Sequence, residues 1–178
     1  MTEDASGLVP RRECGECTAC CKIPNIDAPS LRKLAGVMCP NCTGTQCGIY
    51  ETRPEPCRTF FCLWRTVGTM PDELRPDRIG VMFAIEQVTP RQNPFDKQFV
   101  IARAINSLAD FDSPGARAAI QTFITHGDLP VWLSFAQERR LLHPYPALRD
   151  AILRPTDPPP ELAAEVRLWR QRLGIGTA

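Results

Sequence analysis

Nine cysteines between positions 14 and 62, with none after them, constrain this chain more than any other feature: Cys14-x2-Cys17-x2-Cys20-Cys21, then Cys39-x2-Cys42, Cys47, Cys57 and Cys62. Thiols packed this densely are held by metal or joined as disulfides, because free thiolates side by side oxidise readily. The same stretch is poor in large apolar side chains, so it cannot fold on hydrophobic burial alone. What the thiols bind therefore decides how the first third folds.

Compartment bears on the choice. Residues 1–10 (MTEDASGLVP) carry two early acids and no apolar stretch of the kind a secretory signal needs, and no later run approaches the length of a membrane span. The expectation is a cytoplasmic protein with no membrane partner. In a reducing compartment closely spaced Cys read as metal ligands or redox thiols rather than as a disulfide framework. An odd count agrees, since disulfides would leave one thiol over. The formal charge of +1, without a basic run, argues against nucleic acid as partner, because phosphate contacts need concentrated Lys and Arg. A protein partner docking at the cluster stays open. Eighteen prolines predict many short elements joined by ordered loops.

Spacing favours metal. Two thiolates two residues apart can turn back on one tetrahedral ion, with backbone N–H groups free to donate to the sulfurs. Cys17-x2-Cys20 and Cys39-x2-Cys42 are 18 residues apart, within the range of a four-Cys zinc site. Cys14-x2-Cys17 could supply the first knuckle instead. Adjacent Cys20 and Cys21 diverge, so they are expected to serve two metals or one polynuclear cluster. Three tetrahedral zinc ions sharing bridging thiolates would use all nine Cys, whereas two separate four-Cys sites would use eight. The Cys-x2-Cys-x2-Cys run is ferredoxin-like in its first three ligands but lacks the usual fourth Cys before Pro. Zinc is the favoured cofactor, with iron or an iron–sulfur cluster as the alternative. The candidate metal ligands are Cys14, Cys17, Cys20, Cys21, Cys39, Cys42, Cys47, Cys57 and Cys62.

These residues also carry a family likeness. The run Cys14-x2-Cys17-x2-Cys20-Cys21, followed by Cys47-Gly48-Ile49-Tyr50-Glu51-Thr52-Arg53-Pro54 and Cys57-Arg58-Thr59-Phe60, resembles the YkgJ-type cysteine-cluster proteins, the CxxCxxCC zinc- or iron-chelating domain family. The likeness covers about residues 13 to 65; Leu74-Arg75-Pro76-Asp77-Arg78-Ile79-Gly80 resembles the family's entry into a second segment. It implies metal chelation and leaves zinc against iron open. Residues 11–65 hold eight Lys or Arg against five acids, a surplus that suits an anionic thiolate cluster. Arg53 and Arg58 are candidates to neutralise it, and Tyr50 and Phe60 to cover it.

The expected fold class is α+β: an irregular Cys-rich metal-binding module at residues 13–65, packed on a small, mainly antiparallel sheet with helices at 66–178, after a disordered segment at 1–12. Asp27 to Gly36 reads as a short helix with an N-cap and a glycine stop. Ile79–Gln87 and Gln98–Ile105 read as an antiparallel pair, Pro130–Phe135 and Glu138–Leu142 as further strands. Ser113-Pro114 opens a helix to about Thr125, stopped by Gly127. In a helix over Glu161–Leu173, the stripe Leu162, Val166, Trp169 and Leu173 is expected to pack on the sheet.

Catalytic patterns are missing. The two histidines, His126 and His143, belong to no HExxH pair or triad, and no phosphate-binding Gly loop exists. Asp72, Glu73 and Asp77 flank prolines and read as turn formers. The sequence supports a metal-binding protein with a structural, metal-handling or partner-docking role, against the alternative of an iron–sulfur or thiol-based redox protein, and no enzyme assignment.

Overall fold

The computed structural model describes residues 7–176. In chain order the elements are α1 (Ala19–Lys22), β1 (Ile26–Ala28), β2 (Leu31–Lys33), α2 (Glu55–Thr59), α3 (Leu63–Thr66), α4 (Pro76–Ile79), β3 (Val81–Glu86), β4 (Phe99–Ala104), α5 (Pro114–His126), β5 (Val131–Phe135), β6 (Glu138–His143), α6 (Pro146–Leu153) and α7 (Ala163–Leu173). The fold is α+β, with a β1–β2 ribbon and a four-stranded sheet ordered β3-β4-β5-β6. Strands β3 and β4 pair antiparallel, as do β5 and β6, whereas β4 and β5 run parallel. The sheet is therefore mixed, a finer point than the expected mainly antiparallel one. A parallel pair cannot be joined by a tight turn, and α5 supplies the crossover.

Both faces of the sheet are covered, which is why β3 reads as a continuous apolar run rather than an alternating one. Val81 and Phe83 of β3, Val100 and Ala102 of β4 and Leu133 of β5 pack against Ala116, Ala119 and Ile120 of α5. The opposite face places Ala84, Ile101 and Trp132 against Leu148, Ala151 and Ile152 of α6 and Val166, Trp169 and Leu173 of α7. The predicted stripe of the last helix does pack on the sheet. Helix α5 starts as its residues dictate: Ser113 Oγ accepts from the Ala116 N–H at 3.3 Å and donates to the Ile79 carbonyl at 2.7 Å, with Pro114 in the first turn. Gly115 is needed there because a Cβ would lie 2.7 Å from Ile79 Cγ2.

The Cys-rich segment rests on this unit. Ala19 and Ile23 bury against Met82 of β3, with Cys17, Phe60, Cys62 and Ile105 around them. At the ribbon's far side Gly36, at φ +82°, passes so close to the β5–β6 turn that a Cβ would lie 3.1 Å from Ala136 Cα. Asp27 to Gly36 is a hairpin strand pair, not the helix its caps suggest: Ile26 pairs with Lys33 and Ala28 with Leu31, antiparallel. The period-2 alternation of burial over Ile26, Ala28, Leu31 and Lys33 overrides the helical spacing of Leu31 and Leu34, and Leu34 faces solvent. Of the segment expected to be disordered, residues 1–6 lie outside the described residues. Arg12 is buried.

Candidate functional site

The arm that brings the first cysteines into place is pinned by Arg12. Its guanidinium donates to the carbonyls of Trp64 at 2.7 Å, Val67 at 2.9 Å and Met70, and to Asp72 Oδ1 at 2.8 Å, while lying 5.2 Å from the centroid of the Trp64 ring. Each carbonyl belongs to α3 or the turn after it. Cys14 is thereby carried to the start of α3, where Cys62 occupies the N-cap position. A tight turn follows, with the Cys17 N–H donating to the Cys14 carbonyl at 2.9 Å. The single turn of α1 then separates two neighbours: Cys20 is exposed and Cys21 buried.

A second clamp holds the other cysteines. Lys33 is buried at the end of β2, and its ammonium donates to the carbonyls of Lys22 at 3.0 Å, Pro24 at 2.5 Å and Leu34 at 3.2 Å. This closes the ribbon onto α1. Cys39 then donates its N–H to the Cys21 carbonyl at 2.8 Å, Cys42 its own to the Cys39 carbonyl at 3.0 Å, and Cys42 bridges Cys47 in antiparallel fashion. The Cys39-x2-Cys42 knuckle is thus tied to Cys21 through the backbone. Cys57 comes from α2, and it packs with Cys42 and Cys47 against a small apolar cluster of Cys21, Ile26, Ala28, Leu31 and Cys39.

All nine predicted ligands are free thiols, and all but Cys42 and Cys62 line one cavity of about 520 Å3. Among the described residues no three Cys, His, Asp or Glu side chains converge at ligating geometry, so the thiols share a chamber without closing on a point. The chemistry of the donors nonetheless suits a soft or borderline metal. Cys17 Sγ accepts hydrogen bonds from the backbone N–H groups of Ala19 and Asp77, and Cys62 Sγ from those of Arg65 and Trp64. Such N–H···S bonds stabilise thiolate ligands, as the knuckle argument requires. The Nε of Arg65 is buried with no hydrogen-bond partner, and Arg65 lines the cavity beside Cys14. An anionic cluster would answer that orphaned donor.

Thiol acidity follows position. Burial raises Cys14, Cys57 and Cys62, and raises Cys17 to about 11 despite its backbone donors. A hydrogen bond from Cys21 lowers Cys20 to about 7, and the same contact with burial raises Cys21, which also meets Cys42. Burial lowers Lys33, while the nearby thiolates of Cys39, Cys21, Cys57 and Cys20 pull it back up. Metal binding, which requires deprotonated sulfur, would remove the protons that burial otherwise retains.

Several site residues differ from the sequence reading. Arg53 lines the cavity, stacked 3.7 Å from the centroid of the Tyr50 ring, but Arg58 faces solvent and does not line it. Lys33 and Arg65 provide the other cations, and neither stood out in the sequence. Phe60 and Tyr50 both line the cavity, Tyr50 at its exposed side. Asp77 is more than a turn former: its carboxylate is gripped by Arg75 through two bonds of 2.7 Å and meets the Cys17 thiol. Its place within the Leu74–Gly80 stretch is legible in the sequence, but its role beside Cys17 is not. His126 ends α5 and His143 lies against Trp169, both away from the thiols. No helix of the described residues is long and apolar enough to cross a membrane. No family model, curated protein or solved structure matches this chain.

Proposed function

We propose that this chain is a cytoplasmic metal-binding protein that holds zinc in a cysteine-thiolate cluster, organising the N-terminal third and serving metal handling or the docking of a partner. The observation that supports this most directly is one cavity lined by seven thiols from four separate stretches of chain, with three cations, Lys33, Arg53 and Arg65, on its wall. Thiolate clusters carry net negative charge even with zinc bound, so cations without acidic partners beside the sulfurs suit them. Among the described residues Lys33 and Arg53 donate to backbone carbonyls alone, and Arg65 has an orphaned Nε. The family likeness of the CxxCxxCC run points the same way. A bound ion would supply the cross-links that the sparse apolar cluster around Ile26 and Leu31 lacks.

Elemental analysis of protein purified without oxygen tests this. A colourless protein with stoichiometric zinc is the expected result. A brown protein with broad visible charge-transfer absorption would replace zinc by an iron–sulfur cluster. Metal-free protein with every thiol titratable would make thiol redox chemistry the better account.

A further inference from the structure

We propose that Cys42 and Cys47 are a redox-active dithiol, closed to a disulfide by a low-molecular-weight disulfide of the glutathione type, and that closure takes Cys47 from the chamber and releases the metal held there. The release rests on the metal-binding reading; the pairing of the two thiols does not.

The backbone sets the two residues opposite each other. Cys42 and Cys47 are partners in an isolated antiparallel bridge. On one side of them the Gly48 N–H donates to the Asn41 carbonyl at 2.8 Å, and on the other the Thr43 N–H donates to the Gln46 carbonyl at 2.9 Å. These bonds flank the pair instead of joining it. It is therefore the non-hydrogen-bonded kind, with Cα atoms about 4.5 Å apart and side chains at their closest on one face. A disulfide spans Cα separations of about 4.4–6.8 Å, so closure asks little of the backbone. The turn beyond is already fixed. Thr43 Oγ1 donates to the Gln46 carbonyl at 3.1 Å and accepts from the Gln46 N–H at 3.2 Å, and Gly44 supplies the positive φ of +98°.

Access singles out the same pair. Thr43, Gly44, Thr45 and Gln46 are exposed, and both thiols are half-buried at the base of this tip. Two other thiols lie against Cys42: that of Cys21, which hydrogen-bonds to it, and that of Cys39, whose backbone carbonyl accepts the Cys42 N–H at 3.0 Å. Both are buried in the apolar cluster around Ile26 and Leu31, so a reagent in solution meets the hairpin first. Cys20 and Cys21 also touch, but neighbouring Cα atoms lie about 3.8 Å apart, short of an ordinary disulfide's span.

Exchange needs two displacements. The Cys47 thiolate attacks one sulfur of the small disulfide and expels a thiolate, leaving a mixed disulfide on Cys47. The Cys42 thiolate then attacks Cys47 Sγ and expels the second thiolate. The protein loses two electrons and two protons, and the reagent is reduced to two thiols. Cys47 lines the chamber and Cys42 does not, so the new bond ties a chamber sulfur to a partner outside it. The chamber loses one of its seven thiols as a ligand, because a metal takes thiolate and not disulfide sulfur.

Full-length protein loaded with zinc is held without oxygen in buffers of increasing glutathione disulfide, then quenched, alkylated and digested with trypsin, while a chromogenic chelator reads free zinc. The first disulfide to form should lie within the peptide Leu34–Arg58, with Cys39 and Cys57 alkylated and Cys42 joined to Cys47. Zinc should be lost in proportion to it and rebound on reduction. Cys42→Ser should stop at the glutathione adduct on Cys47. A first disulfide joining Cys42 to Cys21 or Cys39, or a pair that stays reduced while other thiols of the chain oxidise, would overturn the proposal. So would oxidised protein that keeps all its zinc. Protein that forms the Cys42–Cys47 bond but never held zinc would uphold the dithiol and remove the metal-binding reading. Should Cys42→Ser not fold, the mapping of wild-type protein decides alone.

Discussion

Truncating Arg12 to Ala would leave two buried carbonyls, those of Trp64 and Met70, and the half-buried one of Val67 without their charged donor. The ion pair with Asp72 adds little, since that carboxylate is largely exposed. The unpaired carbonyls set the cost, about 3 kcal/mol, to be read from urea unfolding followed by tryptophan fluorescence. Lys at position 12 should not restore it, because one ammonium cannot reproduce the planar fork that reaches carbonyls on two sides. Lys33 plays the converse part, a point charge surrounded by three carbonyls. Lys33→Met should keep the stem's packing while removing both the clamp and the cation beside Cys39, Cys21 and Cys57. A fall in zinc affinity of about tenfold or more is expected in competition titration against a chelator. Neither residue could be singled out from composition: each is one basic residue among many, and its role comes from carbonyls far along the chain or across a turn.

At the level of elements, α6, α7 and β6 meet at His143, whose ring lies 5.4 Å from that of Trp169 in an edge-on contact. Burial pushes His143 below its ordinary value, opposed by Glu165 and reinforced by Arg172, the charged groups that face it. The unfolded chain therefore binds this proton more readily than the folded one. Stability should be fully present above the ordinary histidine range and decline as pH falls toward the lowered value. Thermal melts at descending pH would follow that decline, and His143→Gln should remove its histidine component. Elements with a strong period were legible in advance. Ser113-Pro114 and Gly127 bound α5 correctly, and Leu162, Val166, Trp169 and Leu173 gave the buried side of the last helix. The Asp27–Gly36 hairpin was not, because Asp-Ala-Pro-Ser fits a helix start and a tight turn equally well locally, and Lys33's distant carbonyls decide between them. Helix α6 was hidden among prolines, and the parallel β4–β5 pairing is a tertiary fact that no strand pattern encodes. The cysteines were legible as a group, but which of them share the cavity depends on tertiary packing that their spacing does not encode.

Across the whole molecule the sheet unit and the Cys-rich segment draw on different sources of stability. The sheet has an apolar core on each face, whereas the segment has only a few buried aliphatic side chains among its thiols. Structural zinc can contribute on the order of 10 kcal/mol to folding. Stripping it with a strong chelator should speed proteolysis within residues 13–65 while the sheet's far-ultraviolet circular dichroism persists. Unchanged cleavage there would mean that the ribbon and the two cationic clamps suffice without metal. The Arg12 clamp also has a consequence in time. All of its partners lie within Trp64–Asp72, so the arm can lock as soon as that stretch has left the ribosome. Strand β6, which completes the sheet beneath it, ends roughly 70 residues later, about 4–14 s of synthesis at ordinary rates. For those seconds the arm leading to Cys14 can already be held against Trp64–Asp72 while the strands that the cysteine-rich segment rests on are still being made.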